Sequence, residues 1–315
     1  RSDMEIDVII PLYKPGKELF TLLDKLGSQS VPVHQVILLN TEEKYFDQLI
    51  YGIRFLETYQ NIKVYHVSKR EFDHGGTRRM GVKKSSADVF VMMTQDAMPK
   101  DDRLIEKLVE PLQGEVAVAY ARQLPREDST PVESYTREFN YPAKSRIKSA
   151  ADLDSLGIKT FFCSNVCAAY RREIYEELGG FVRHTIFNED MIYAAKAVEA
   201  GYSVAYAADA QVVHSHNYTN GQQFHRNFDL GVSQAEHPEI FAAYPSESEG
   251  KRMVKDVTVY LRSNHMSAGL PHFYMQCACK YAGYLLGKNY RRLPKKWVLA
   301  FTSNKEYWKQ NRKDV

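Results

Sequence analysis

The sequence predicts an α/β protein in which a mostly parallel central sheet is flanked by helices and followed by a helical C-terminal region. Three observations predict it. Short β-branched apolar runs alternate with amphipathic stretches from residue 6 to about 213, the arrangement of βαβ units with right-handed crossovers. Polar residues collect where the runs end. Beyond about Gln222 the strand pattern stops and helical periodicity continues, so an α/β domain over 4–221 and a helical region over 222–315 are expected.

Taken in order, Ile6-Asp7-Val8-Ile9-Ile10 reads as a strand covered on both faces and stops at Pro11. Leu19, Leu22, Leu23 and Leu26 recur at helical spacing, predicting an amphipathic helix over Lys17 to Gln29. Gln35 to Leu39 is the second strand. Phe46, Leu49, Ile50, Ile53 and Leu56 mark one further helix, and Lys63 to Val67 the third strand. A short helix opened by glycines is expected over Gly76 to Ser85, and a fourth strand over Val89 to Thr94. Then come a helix at Arg103 to Leu112, a strand at Val116 to Arg122 and an irregular polar stretch from Pro125 to Lys159. Phe162 to Arg171 reads as a strand and Arg172 to Leu178 as a helix ended by Gly179-Gly180. Asn188 to Ala200 is a helix ended by Gly201, and a strand at Ser203 to Ala207 leads to Val212-Val213-His214.

With 315 residues, 44% apolar and 26% charged, the chain has ordinary globular composition, which excludes wholesale disorder. Apolar runs fall short of the roughly 18 residues a spanning helix needs. Four cysteines (Cys163, Cys167, Cys277, Cys279) make no disulfide framework or zinc spacing and read as small buried apolar residues. No signal peptide is expected, and Arg1-Ser2-Asp3 before Met4 reads as an added leader. A cytosolic protein is the starting expectation.

The net charge of +3 conceals an asymmetry. Val257 to Lys305 contains eight basic residues and no acidic one, a net +8, which leaves −5 for the rest. Tyr290-Arg291-Arg292-Leu293-Pro294-Lys295-Lys296-Trp297 interleaves bases with aromatics, a pattern suited to an anionic membrane surface. A solvated helical face is the bland alternative. Nucleic acid is not expected, because no nucleic-acid module is present.

Ligands of open α/β sheets bind at the carboxyl ends of strands. Pro11-Leu12-Tyr13, Asn40-Thr41-Glu42, Asp73 to Arg79 and Thr94-Gln95-Asp96 all fall at such ends. In His74-Gly75-Gly76-Thr77-Arg78 a helix start can meet a phosphate, or the glycines can serve a tight turn with positive φ. Asp96 reads as a cation ligand or a helix cap, and His214-Ser215-His216 as imidazole ligands or a surface turn. Asn188-Glu189-Asp190 opens a helix, either as cap and dipole partners or as a general base.

From roughly Asp7 to Asn217 the chain resembles the family-2 glycosyltransferases of the GT-A fold. The matching pieces are Val8 to Tyr13, Thr94-Gln95-Asp96 in the place of the D-x-D motif, and Leu178-Gly179-Gly180-Phe181 ahead of Asn188-Glu189-Asp190. Phe72 to Arg78 is similar to the variant in bacterial rhamnosyltransferases that use dTDP-L-rhamnose and build O-antigen or cell-wall rhamnan. The resemblance implies an inverting glycosyltransferase with a dTDP-sugar donor and a saccharide or undecaprenyl-diphosphate-linked acceptor, at the inner face of the cell membrane. Pro11, Tyr13, Asn40, Asp73, His74, Gly75 and Gln95 would bind the nucleotide, with Arg78 near the diphosphate. Asp96 and His214 would hold Mg²⁺ or Mn²⁺, with His216 the alternative imidazole. Asp190 would be the catalytic base, and Glu189 and Asn165 would contact acceptor or sugar. Three pieces depart from the family pattern: the second strand ends in Asn40-Thr41-Glu42-Glu43 rather than Asp-Asp-Gly-Ser, the D-x-D place holds one carboxylate, and Arg79 stands where the rhamnosyltransferase variant commonly has Asn. The competing classes are a sugar-phosphate nucleotidyltransferase, which would release pyrophosphate, and a non-catalytic polyanion-binding module.

Overall fold

The apolar runs form a nine-stranded sheet in the computed structural model, which describes residues 4–310; the expected leader Arg1-Ser2-Asp3 lies outside the described residues. The strands are β1 (Ile6–Tyr13), β2 (Gln35–Thr41), β3 (Ile62–Val67), β4 (Val89–Met93), β5 (Met98–Pro99), β6 (Val116–Leu124), β7 (Arg146–Lys148), β8 (Cys167–Arg171) and β9 (Ser203–Val213). Their order is β3-β2-β1-β4-β8-β6-β9-β5, with β7 beside β9. Pairs β1–β2, β2–β3, β1–β4 and β6–β9 are parallel. Because β8 inserts antiparallel between β4 and β6, and β5 and β7 run against β9, the sheet is mixed rather than mostly parallel. Intervening helices announce the crossovers up to β4. The direction of β8 is set by a pairing across the sheet, which local periodicity does not carry.

Leu19, Leu22, Leu23 and Leu26 of the helix Glu18–Gly27 are buried against the sheet core, each worth about 1.5–3 kcal/mol in removed apolar surface. The helix expected through Leu56 is two pieces, Glu43–Ile50 and Phe55–Thr58, broken around Gly52 at φ 74°. The stretch expected to be irregular contains the helix Pro131–Asn140, β7 and the short helix Leu153–Leu156. The strand expected from Phe162 begins only at Cys167. Residues 162–166 form a loop instead, because the Asn165 backbone N–H and Ser164 Oγ bond outside the ladder.

The described chain divides into two compact units, one of residues 4–124, 141–184 and 189–214, the other of 125–140, 185–188 and 215–310. The division falls at Ser215 rather than 222, and two earlier segments join the second unit. A returning segment carries no local signal of the unit it packs with.

The second unit is helical. Within it the helices Asn220–Glu236 and Leu270–Lys288 pack at very close range. A Cβ on Gly287 would lie 2.0 Å from the Phe228 carbonyl oxygen, and one on Gly283 2.3 Å from that of Phe224. Neither obstacle is a flexible side chain. Gly287→Ala is therefore expected to lower stability by about 1–3 kcal/mol in urea unfolding, the usual cost of overpacking. A loss near zero would show that the helices separate freely.

Of the aromatics that marked the basic region, Phe273, Tyr284 and Tyr290 are core residues, whereas Tyr274, Tyr281 and Trp297 are exposed. Arg291, Arg292, Lys295 and Lys296 are exposed as well. No helix among the described residues is long and apolar enough to cross a membrane. All four cysteines are free, with Cys163 and Cys167 buried and Cys277 and Cys279 half-buried.

Candidate active site

The strand directions bring the polar residues of the first unit to one sheet edge. Tyr13, Thr41, Val67 and Met93 end parallel strands there, and antiparallel β8 starts there, opposite Met93 at Cys167. The ends of β6 and β9 meet at the same edge, where Leu124 pairs with Val213.

Pro11 and Tyr13 extend β1 to this edge, and Gln95 ties the strand end to the turn after β4. The Tyr13 N–H donates to Gln95 Oε1 at 2.9 Å, and Gln95 Nε2 donates to the Tyr13 carbonyl at 3.0 Å. The Tyr13 ring is 40% exposed, packs edge-on against Tyr45 and has Lys14 and Lys69 over its face. Asn40 is wholly buried, with Nδ2 donating to the Glu42 carbonyl at 3.1 Å and lying 3.0 Å from His66 Nδ1, so it closes the β2 and β3 ends.

Asp73 caps the helix His74–Lys83: its Oδ1 accepts from the Gly76 N–H at 2.8 Å, and its Oδ2 lies 2.7 Å from His184 Nδ1. Gly75 and Gly76 are helical, so the positive-φ turn considered for them is absent. Gly76 is required for another reason, since a Cβ there would sit 2.7 Å from the Arg183 carbonyl oxygen. Positive φ is used at Gly179 and Gly180, at 85° and 75°, and Arg79 donates to the Gly179 and Phe181 carbonyls of that turn.

The helix Glu189–Glu199 begins with two carboxylates in different states. Buried Glu189 has Arg78 Nε 3.2 Å from its Oε1 and His74 Nδ1 3.7 Å from its Oε2. Arg78 also donates to the His74 carbonyl at 3.2 Å, so its guanidinium is engaged inside the protein. Burial alone would favour a neutral Glu189; the Arg78 charge, aided by His74, outweighs it and holds the carboxyl below the ordinary range. Asp190 is half-buried, and both its oxygens accept backbone N–H groups, Oδ2 from Asn165 at 2.9 Å and Oδ1 from Met191 at 2.8 Å. Burial, followed by the adjacent Glu189 charge, pushes Asp190 up to about 7 against those bonds. Asn165 holds the pair together, for its Nδ2 donates to Glu189 Oε1 at 3.3 Å and its Oδ1 accepts from Tyr170 at 2.5 Å. A carboxylate whose proton affinity is raised by burial and by the Glu189 charge, and which is rigidly oriented, suits a general base.

Asp96 stands exposed after β4, and His214 is buried at the end of β9, with Nε2 3.4 Å from Asp96 Oδ1. One carboxylate and one imidazole are a donor set compatible with Mg²⁺ or Mn²⁺, whose remaining positions water and phosphate oxygens fill. The sequence thus pointed to residues the structure joins in three groups: Tyr13 with Gln95, His74 and Arg78 with Asn165, Glu189 and Asp190, and Asp96 with His214. Asn40 and Asp73 instead close strand and helix ends. His66, Gln123, Tyr170 and His184, which support these groups, escaped sequence reading. The available signal was a polar residue near the end of a largely apolar strand, as Gln123 is beside Arg122 in β6.

A nine-stranded sheet with flanking helices that carries a carboxylate–imidazole pair and a raised carboxylate along one edge has the architecture of the GT-A fold. Residues 7–179 match glycosyl transferase family 2, and the chain belongs to that family. It is 40% identical over 311 residues to the O-antigen chain rhamnosyltransferase RfbN of Salmonella typhimurium, covering 97% of this chain and 96% of that protein. It is 37% identical over 308 residues to the O-antigen chain rhamnosyltransferase WbaN of Salmonella anatum, covering 96% and 95%. Among solved structures, the fold is shared with the mannosyltransferase PcManGT of Pyrobaculum calidifontis, solved with GDP-Man and Mn²⁺, at TM-score 0.61 and 15% identity over 92% of this chain and 88% of that one. It is shared also with S. aureus TarS at TM-score 0.51, 15% identity and coverage of 92% and 91%.

Proposed function

We propose that the protein is an inverting, metal-dependent rhamnosyltransferase that moves L-rhamnose from dTDP-L-rhamnose onto a saccharide or lipid-linked saccharide during O-antigen assembly. The observation that carries this is Asp190, fixed by the Asn165 and Met191 N–H groups and raised toward neutrality, on the unit that also carries the Asp96–His214 pair. The rhamnosyltransferase names of the two near-full-length relatives support the donor and acceptor class.

In this reading Asp190 takes the proton of an acceptor hydroxyl as its oxygen bonds to the anomeric carbon. The bond from that carbon to the diphosphate breaks on the opposite side, and the nucleoside diphosphate leaves with its electron pair. Asp96 and His214 would hold Mg²⁺ or Mn²⁺, which when bound offsets negative charge on the diphosphate. Asn165 keeps Asp190 in place, and Arg78 keeps Glu189 ionised beside it. Gln95 and Tyr13 shape the nucleotide end.

Because Asp190 is raised to about 7 and acts as base only when deprotonated, kcat/KM is expected to rise with pH through about 7 and level off above it. Stability runs the opposite way. A carboxyl that holds its proton more tightly in the fold than in the open chain contributes stability that is lost as pH rises through about 7. A flat rate profile between about pH 6 and 8 would remove Asp190 from the proton transfer.

The direct test is a donor screen with Mg²⁺ or Mn²⁺. Release of dTDP from dTDP-L-rhamnose in the presence of acceptor supports the proposal, and release of pyrophosphate from a nucleoside triphosphate and a sugar phosphate would replace it with a nucleotidyltransferase.

We further propose that the basic C-terminal region rests on the cytoplasmic face of an anionic membrane, through exposed Arg291, Arg292, Lys295, Lys296 and Trp297. At about 1 kcal/mol per basic residue near such a surface, reversing those four charges should abolish flotation with anionic liposomes. Unchanged flotation would contradict it.

A further inference from the structure

Gln123, near the end of β6, is 3% exposed and makes three side-chain hydrogen bonds. Its Nε2 donates to the Tyr141 hydroxyl at 2.8 Å and to Ser164 Oγ at 3.0 Å. That orientation turns Oε1 toward His214 Nδ1, at 3.0 Å. An amide oxygen only accepts, so His214 must donate from Nδ1. A neutral imidazole carrying its proton on Nδ1 has its lone pair on Nε2, the nitrogen directed at Asp96.

We infer that Gln123 is a positioning residue that selects the Nδ1–H tautomer of His214 and so makes His214 Nε2 the ligand for the divalent cation. The inference rests on the proposed Asp96–His214 cation site and deepens it. Groups that orient a ligand imidazole through its second nitrogen typically govern metal affinity by about 10–100-fold. The Tyr141 and Ser164 hydroxyls accept from the amide nitrogen, and its oxygen meets the ring. The opposite amide orientation would put the proton on Nε2 and oppose metal binding, so the tautomer itself is the quantity to read.

The experiment titrates full-length protein and three variants with MnCl₂, following free Mn²⁺ by electron paramagnetic resonance. Gln123→Met removes the acceptor and should weaken Mn²⁺ binding by about 10–100-fold. Gln123→Glu keeps an oxygen acceptor for Nδ1–H while losing both donated bonds, and should bind within a few-fold of the parent protein. A merely structural role predicts that the two substitutions are equally harmful. Equal loss, or no loss in Gln123→Met, overturns the inference. Asp96→Asn is the control: if it retains full Mn²⁺ affinity, the cation site itself is refuted, and the inference with it. If Asp96→Asn loses binding and Gln123→Met does not, only the role of Gln123 fails. Nitrogen-15 spectra of the histidine-labelled protein saturated with MgCl₂ give an answer that needs no Gln123 variant to fold. The His214 signals, assigned by their loss in His214→Ala, should show the proton on Nδ1, and a proton on Nε2 would contradict the inference.

Discussion

Asp190→Asn is expected to lower sugar transfer by about 10²–10⁴-fold, the usual contribution of a positioned general base, while sugar-nucleotide binding survives. The amide oxygen keeps one of the two backbone bonds, from Asn165 or Met191, while its NH2 meets the other N–H, and it cannot accept a proton from an incoming hydroxyl. The pH dependence of stability keeps the result from being mistaken for misfolding. The parent protein loses stability as pH rises through about 7, because the half-buried carboxyl must then ionise beside charged Glu189. Asp190→Asn has no such ionisation, so that pH-dependent loss should be absent from its unfolding midpoint, whatever its absolute stability. A variant that transfers sugar within about tenfold of the parent rate would remove Asp190 as the base.

Arg78→Met is expected to destabilise the protein by about 3–5 kcal/mol, the typical cost of leaving one member of a buried ion pair uncompensated. The side chains of Arg78 and Glu189 are 8% and 6% exposed, so water cannot take over the missing partner's role. The same figure predicts a rescue. Arg78→Met combined with Glu189→Gln removes both charges and should recover most of the loss, because the penalty belongs to the stranded carboxylate and not to the absence of a favourable pair. Denaturant unfolding of the parent, both single variants and the double variant completes the cycle. Additive losses, or a Arg78→Met protein within about 1 kcal/mol of the parent, would show that the pair is solvated.

Much of this was legible because local chemistry encodes it. The leucines at 19, 22, 23 and 26 and the short runs before Tyr13, Thr41 and Met93 specify helix and strand without reference to the rest of the fold. Polar residues at those strand ends marked Asp96 and His214 as candidates, whereas the carboxylates opening a helix read equally as a cap and Asp190 was singled out by the family resemblance. What was not legible depends on residues distant in the chain. The antiparallel insertion of β8 is decided by its pairing with Met93 and Tyr120, and the loop ahead of it by Asp190 capturing the Asn165 N–H. Gly76 reads as a phosphate glycine or a turn glycine until Arg183, more than a hundred residues on, is seen against it. Arg78, expected beside a diphosphate, is committed to Glu189, and nothing in the stretch around residue 78 announces that partner. The aromatic signal of the basic region was overread for a related reason: periodicity places Phe273, Tyr284 and Tyr290 on helices without showing that those faces are the core.

The central claim is single displacement at a sugar carbon with Asp190 as the base, and the configuration of the product tests it most directly. The glycoside formed from dTDP-L-rhamnose and a saccharide acceptor should, by nuclear magnetic resonance at the anomeric position, carry the configuration opposite to that of the donor. A product that retains the donor's configuration would contradict the account, because retention requires a second displacement that a lone base at Asp190 does not provide.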